Sequence, residues 1–122
     1  MDFTFLDVVT AADGIMPNNF SQQQKRKWVY DLELKIRYFM SMYEETDYDD
    51  TFTKSENASL ILGFEGSDIY VYYLLSMMDM ANSDTQMYNN HTAMYNSLKT
   101  DWQKKYRRQN KPKKHTTISQ EV

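Results

Sequence analysis

The sequence predicts an all-α protein: a small bundle of about four helices with an irregular acidic middle loop and a flexible basic C-terminal tail. Three observations carry this. The chain has 122 residues with three Gly and two Pro, so few residues interrupt helices. It has ten Tyr, six Phe, two Trp and nine Met, side chains that suit helices packed through aromatic and thioether groups. Apolar residues recur at intervals of three and four, which places them on one helix face. The length fits one domain, a helical unit over residues 1–109 followed by a polar basic tail over residues 110–122.

The first helix is expected over Thr4 to Asp13. Thr4 and Asp7 have capping-box spacing, and Leu6, Val9 and Ala12 recur at helical intervals. Gly14 fits a stop, with Pro17 beyond it. The second helix is expected from Ser21 to about Tyr43. Ser21 and Gln24 match a capping box, and Trp28, Leu32, Ile36, Phe39 and Tyr43 form its stripe, widened by Val29 and Met40. Lys25, Arg26 and Lys27 fall in its first turns, where cations oppose the helix dipole. Such a cluster either faces an acidic partner or forms a solvated face.

Residues 44–66 are the irregular middle. Glu44, Glu45, Asp47, Asp49 and Asp50 make an acidic run, but Phe52 and Ala58 replace the Gly and Glu that a calcium loop needs. No metal site is expected there. Leu60 to Phe64 reads as a short extended segment, ended by Gly63 and Gly66. Ser67 or Asp68 then opens a third helix, apolar on nearly every face from Ile69 to Met78 and so central and buried. A strand over Ile69 to Tyr73 is the competing reading; the continuation through Met80 and Ala81 favours helix. Asn82–Ser83 caps the fourth helix, with Gln86 three residues after Ser83, and Met87, His91, Met94, Leu98 and Trp102 form its stripe, widened by Tyr88 and Tyr95. It runs to about Gln109, and Pro112 discourages further helix.

The composition excludes several chemistries. Cysteine is absent, which removes disulfide scaffolds, thiolate metal sites and cysteine nucleophiles. The start, MDFTFLDVV, lacks the basic region of a secretory signal. No apolar run approaches a membrane span, so no membrane partner is expected. There is no P-loop, no dinucleotide fingerprint and no nucleophile elbow. His91 stands alone on an apolar stripe, and one imidazole makes no metal site; a core or interface histidine is the expectation. An enzyme is therefore not expected, and neither is a cofactor.

The charge is segregated. Residues 1–103 carry a net −9, whereas residues 104–114 carry seven Lys/Arg and no acid, within a total of −3. The basic residues are Lys104, Lys105, Arg107, Arg108, Lys111, Lys113 and Lys114. Such a segment docks on an acidic surface or on phosphates, or simply keeps a terminus solvated. Tyr30, Leu34 and Tyr38 lie off the Trp28 stripe. Apolar side chains on two faces of one helix suggest a subunit interface, with Tyr30 and Tyr38 as its candidates.

Several strings also look familiar together. The turn Met16-Pro17-Asn18-Asn19-Phe20 leads into Gln24-Lys25-Arg26-Lys27-Trp28 and then Asp31-Leu32-Glu33-Leu34-Lys35-Ile36. Later come Asp68-Ile69-Tyr70-Val71-Tyr72-Tyr73-Leu74, Met78-Asp79-Met80-Ala81-Asn82 and Tyr88-Asn89-Asn90-His91-Thr92-Ala93-Met94-Tyr95-Asn96. Over about residues 5–108 the chain resembles the small head–tail connector (head-completion, adaptor) proteins of tailed phages and prophages. The resemblance implies a helical subunit of a ring, usually twelvefold, beneath the portal protein. The ring extends the DNA channel without sequence-specific binding and docks a tail-completion or stopper protein. It implies a place in the virion at the head–tail interface, after assembly in the bacterial host cytoplasm. Residues 104–122 would be an arm reaching to a neighbouring subunit or the portal, and the acidic loop would face the lumen or the downstream partner. The alternative is a small nucleic-acid-binding regulator that uses the same basic segment, with Trp102 and Tyr106 interleaved for stacking.

Overall fold

The computed structural model describes residues 2–43 and 58–113. The chain is all-α: helix α1 (Phe5–Ile15), α2 (Gln22–Met40), a 3-10 turn (Phe64–Gly66), α3 (Ser67–Ala81) and α4 (Thr85–Gln109). The acidic residues 44–56, Lys114 and the rest of the tail lie outside the described residues.

The helix starts follow the local chemistry of the sequence. Thr4 accepts a hydrogen bond from the Asp7 backbone while the Asp7 carboxylate accepts from the Thr4 N–H, a complete capping box. Ser21 accepts from the Gln24 N–H and caps α2. Gly14 does not stop α1, which continues to Ile15. A glycine in an exposed last turn costs only about 1 kcal/mol against alanine, which is too little to end a helix by itself. The fourth helix starts one residue later than its Ser83 cap would place it. Asp84 is the cap, accepting from the Met87 N–H at 3.1 Å.

Ser83 instead terminates α3. Its φ is 59°, left-handed. The Ser83 N–H reaches the Met80 carbonyl at 3.1 Å and the Asp84 N–H reaches the Asp79 carbonyl at 2.9 Å. This paired closure satisfies two of the end carbonyls of α3.

Helix α3 is the centre of the bundle. Ile69, Tyr70, Val71, Leu74, Leu75 and Met78 are buried on it. It packs along α4 and also against α1 and α2, which explains why its sequence is apolar all round. The reading of Leu60 to Phe64 as extended is wrong. Residues 61–63 form a turn and Phe64 enters the 3-10 turn. Gly63, with φ of 66°, reverses the chain there. An isolated bridge between Thr4 and Ser59, with the Leu60 N–H donating to the Phe3 carbonyl at 2.9 Å, ties this segment to the start of α1.

The burial of α2 is rotated from the sequence stripe. Its buried residues are Lys25, Val29, Tyr30, Leu32, Glu33 and Ile36, whereas Trp28 and Phe39 are half-buried. On α4 the buried residues are His91 and Tyr95, and Met87 and Met94 are exposed. Helix α4 meets the bundle on one side only, so its aromatic edge turns inward and the methionines face out.

Candidate functional site

Six of the expected basic residues fall at one end of the bundle. Lys104, Lys105, Arg107 and Arg108 occupy the last two turns of α4 and are exposed, as are Lys111 and Lys113 beyond it. The segment after α4 pairs with the residues that follow α2. The Lys113 N–H donates to the Met42 carbonyl at 2.8 Å, and Pro112 bridges to Tyr43.

Trp102 and Tyr106, on the same turns, are half-buried and packed in an aromatic cluster. Phe39 lies 5.3 Å from Trp102 and 6.0 Å from Tyr106 between ring centres, Tyr43 lies 5.3 Å from Tyr106, and Trp102 lies 5.5 Å from Tyr106. These rings weld the end of α4 to the end of α2. The guanidinium of Arg107 lies 5.4 Å above the Phe39 ring. Stacking of bases on Trp102 and Tyr106 would have to break this cluster.

Tyr30 is a correction. It is 4 % exposed and packs on Phe5 of α1, ring centres 5.8 Å apart. The second apolar face of α2 is covered by α1, so Tyr30 belongs to the core and presents no outer surface. Tyr38, 58 % exposed, does face outward.

Beside the basic turns is a groove that the sequence did not reveal. It has a volume of about 290 Å³ and runs between the start of α3 and the last turns of α4. Leu62, Ile69, Leu98 and Trp102 give it apolar walls, and Glu65, Asp68 and Asp101 set three carboxylates against the single ammonium of Lys105. Gly66 holds the groove wall close. A Cβ there would sit 2.5 Å from the Cβ of Leu62. A shallow depression lined by Leu62, Gly63, Phe64 and Glu65 continues it, and Phe64 is 56 % exposed.

Two buried charged groups, Glu33 and Lys25, tie the helices of the bundle together. Glu33, fully buried, accepts from the Tyr70 hydroxyl at 2.6 Å, the Ile61 N–H at 2.8 Å and Arg37 Nε at 2.9 Å. The Tyr70 hydroxyl accepts in turn from the Leu62 N–H at 3.2 Å. Glu33 therefore fixes the turn at residues 61–62 onto α2 and α3. Burial first, and the Glu33 carboxylate second, push the Tyr70 hydroxyl well above its usual range. Lys25, 4 % exposed, lies 2.9 and 3.1 Å from the two Asp13 oxygens. The basic cluster of α2 is thus neither one solvated face nor one docking face: Lys25 closes α1 onto α2, Arg26 lies over the Phe5 ring and Lys27 pairs with Asp31.

His91 is a core residue of the bundle. Its Nδ1 lies 2.5 Å from Asp79 Oδ2, joining α4 to α3, and its ring lies 6.0 Å from Tyr72. Nearby, Tyr73 and Tyr95 stack at 5.2 Å. Burial, with Tyr73 second, pushes the Tyr95 hydroxyl up to about 12. Among the described residues no three His, Asp or Glu side chains are placed to hold a metal ion. None of their helices is long and apolar enough to cross a membrane. The arrangement can bind a complementary surface: it offers an apolar, acid-rimmed groove next to an exposed basic helix end.

No protein-family model matches the chain, and no curated protein or solved structure matches it.

Proposed function

We propose that the chain is a structural subunit of a phage head–tail connector, forming a ring under the portal protein that extends the DNA channel and docks the tail-completion or stopper protein. It acts by assembly and not by catalysis. Two things support the reading: the sequence resemblance over residues 5–108, and the surface of the folded chain. The observation that carries it is the pairing of unlike surfaces on one small bundle. Lys104, Arg107 and Arg108 present a basic face, while Glu65, Asp68 and Asp101 rim an apolar groove. Closed rings are built from heterologous contacts, which need two different, complementary patches on each subunit. A bundle with one uniform polar surface would have no such means of closing.

The test is co-sedimentation with portal rings from the same genome, followed by electron microscopy. The expected result is an added density layer on the tail-facing end of the portal. Portal rings that sediment bare, at chain concentrations well above the micromolar range, would overturn the proposal.

A further inference from the structure

We propose that the groove between the start of α3 and the end of α4 is the docking site for the basic segment, residues 104–113, of a second copy of the chain. This deepens the ring reading by naming the two surfaces that meet.

The chemistry of the groove selects its occupant. A plain apolar helix would bury Glu65, Asp68 and Asp101 without partners, and an acidic one would be repelled. Lysine and arginine suit it, because their aliphatic stems lie along apolar walls while their charged heads stay at the wet rim. Leu62, Ile69, Leu98 and Trp102 supply the walls, and the three carboxylates supply the rim. The chain carries a matching element. Residues 104–113 contain six Lys/Arg and no acid, and the described side chains Lys104, Lys105, Arg107, Arg108, Lys111 and Lys113 are exposed.

The geometry turns Arg107 and the residues beyond the helix away from the chain's own groove. With about 100° between successive helical residues, Arg107 lies roughly 120–180° around α4 from Leu98, Asp101 and Trp102, whereas Lys104 is a near neighbour of Asp101. Residues 112 and 113 leave on the α2 side, held to Tyr43 and Met42, whereas the groove opens on the α3 side of α4. Lys105 alone reaches its own groove wall, and one ammonium leaves the three carboxylates in excess. The remaining cations are presented to another molecule. A head-to-tail contact of this kind repeats from copy to copy, since each chain carries both halves.

The experiment is zero-length carbodiimide coupling of amines to carboxylates in the full chain, with equal parts of unlabelled and ¹⁵N-labelled protein. The expected products join Lys111 or Lys113 to Glu65, Asp68 or Asp101, or Lys104 to Glu65 or Asp68, with mixed-isotope pairs as abundant as same-isotope pairs; a Lys104–Asp101 link, i,i+3 on one helix, forms within a chain and is not counted. In the D68N/D101N variant the yield of links to Glu65 falls roughly fivefold, the size expected for two lost exposed ion pairs, with an unchanged circular dichroism spectrum. Should that variant misfold, K104A/K113A tests the same contact from the other side through the remaining links of Lys111. Links confined to one isotope would place the segment on its own groove. Links elsewhere, or a Glu65 yield indifferent to the substitutions, would remove the groove as the receptor. Each of these overturns the inference. No portal is needed, so a chain that links to itself but ignores portal retires the connector reading alone. A chain that binds portal without these links retires this inference alone.

Discussion

Replacing Glu33 by Gln is the sharpest probe of how this fold is held. The carboxylate takes three donors: the Tyr70 hydroxyl, the Ile61 N–H and Arg37 Nε. A hydrogen bond to a charged acceptor contributes about 1.5–3 kcal/mol net and a neutral one about 0.5–1.5 kcal/mol. The amide keeps the shape, and its oxygen can still serve the Ile61 and Arg37 donors. Its NH₂ then faces the Tyr70 hydroxyl, which already accepts from the Leu62 N–H, so the hydroxyl proton loses its acceptor. Weakened bonds and one orphaned donor sum to about 2–4 kcal/mol, a large part of a total stability of about 5–15 kcal/mol. Tyr70→Phe removes the same contact from the other side and strands the Leu62 N–H, at about 1–3 kcal/mol. Because the two residues share one bond, the double variant should cost about 1–2 kcal/mol less than the sum. Urea unfolding followed by circular dichroism gives all four corners of the cycle, and hydrogen exchange at Ile61 and Leu62 should quicken in both single variants. A cost for E33Q below about 0.5 kcal/mol, or additivity within about 0.5 kcal/mol, would refute the claim that Glu33 pins the turn.

Four further outcomes follow from the same structure. Tyr70, Tyr73 and Tyr95 have native-state hydroxyls shifted upward by burial. Their contribution to stability is complete below the unfolded tyrosine value near pH 10 and declines as pH rises through the native values, which for Tyr95 means between pH 10 and about 12. Tyr70 adds a slope of up to about 1.4 kcal/mol per pH unit, the more exposed Tyr73 and Tyr95 add less because solvent screens them, and urea midpoints measured from pH 9 to 12 should fall accordingly. Gly66→Ala puts a Cβ 2.5 Å from the Cβ of Leu62, which should cost about 1–3 kcal/mol and displace a groove wall; an unchanged melting temperature would contradict the packing. Ser83→Gly relieves the left-handed φ of 59°, and Gly14→Ala fills an exposed helical position with nothing within 4 Å. Each should stabilise the chain by about 0.5–1 kcal/mol in thermal melts.

The helical frame was legible because its signals are local. Thr4 with Asp7 and Ser21 with Gln24 state where helices begin within four residues, and the apolar run from Ile69 to Met78 states which helix is central. The errors lie where partners are distant in sequence. Nothing around Glu33 reveals its burial, since its donors include residues 28 and 37 positions away. In sequence Lys25 is one of three adjacent cations, and its partner Asp13 is on another helix. For Tyr30, periodicity shows that a second face of α2 is apolar without showing that α1 covers it. Leu60 to Phe64 looked extended because its composition is apolar, while the positive φ of Gly63 makes it a turn. Of the candidate site, the basic turns of α4 were visible as a charge run. The groove was not, because Leu62 and Glu65 meet Leu98 and Asp101 only through packing of α3 on α4.

The central claim is that this chain assembles as a ring subunit on a portal. Native mass spectrometry of the full chain, alone and mixed with portal from the same genome, tests it most directly. The account predicts a ring, or a portal complex with one copy per portal subunit. A monomer that stays monomeric at all concentrations and leaves the portal mass unchanged would contradict it.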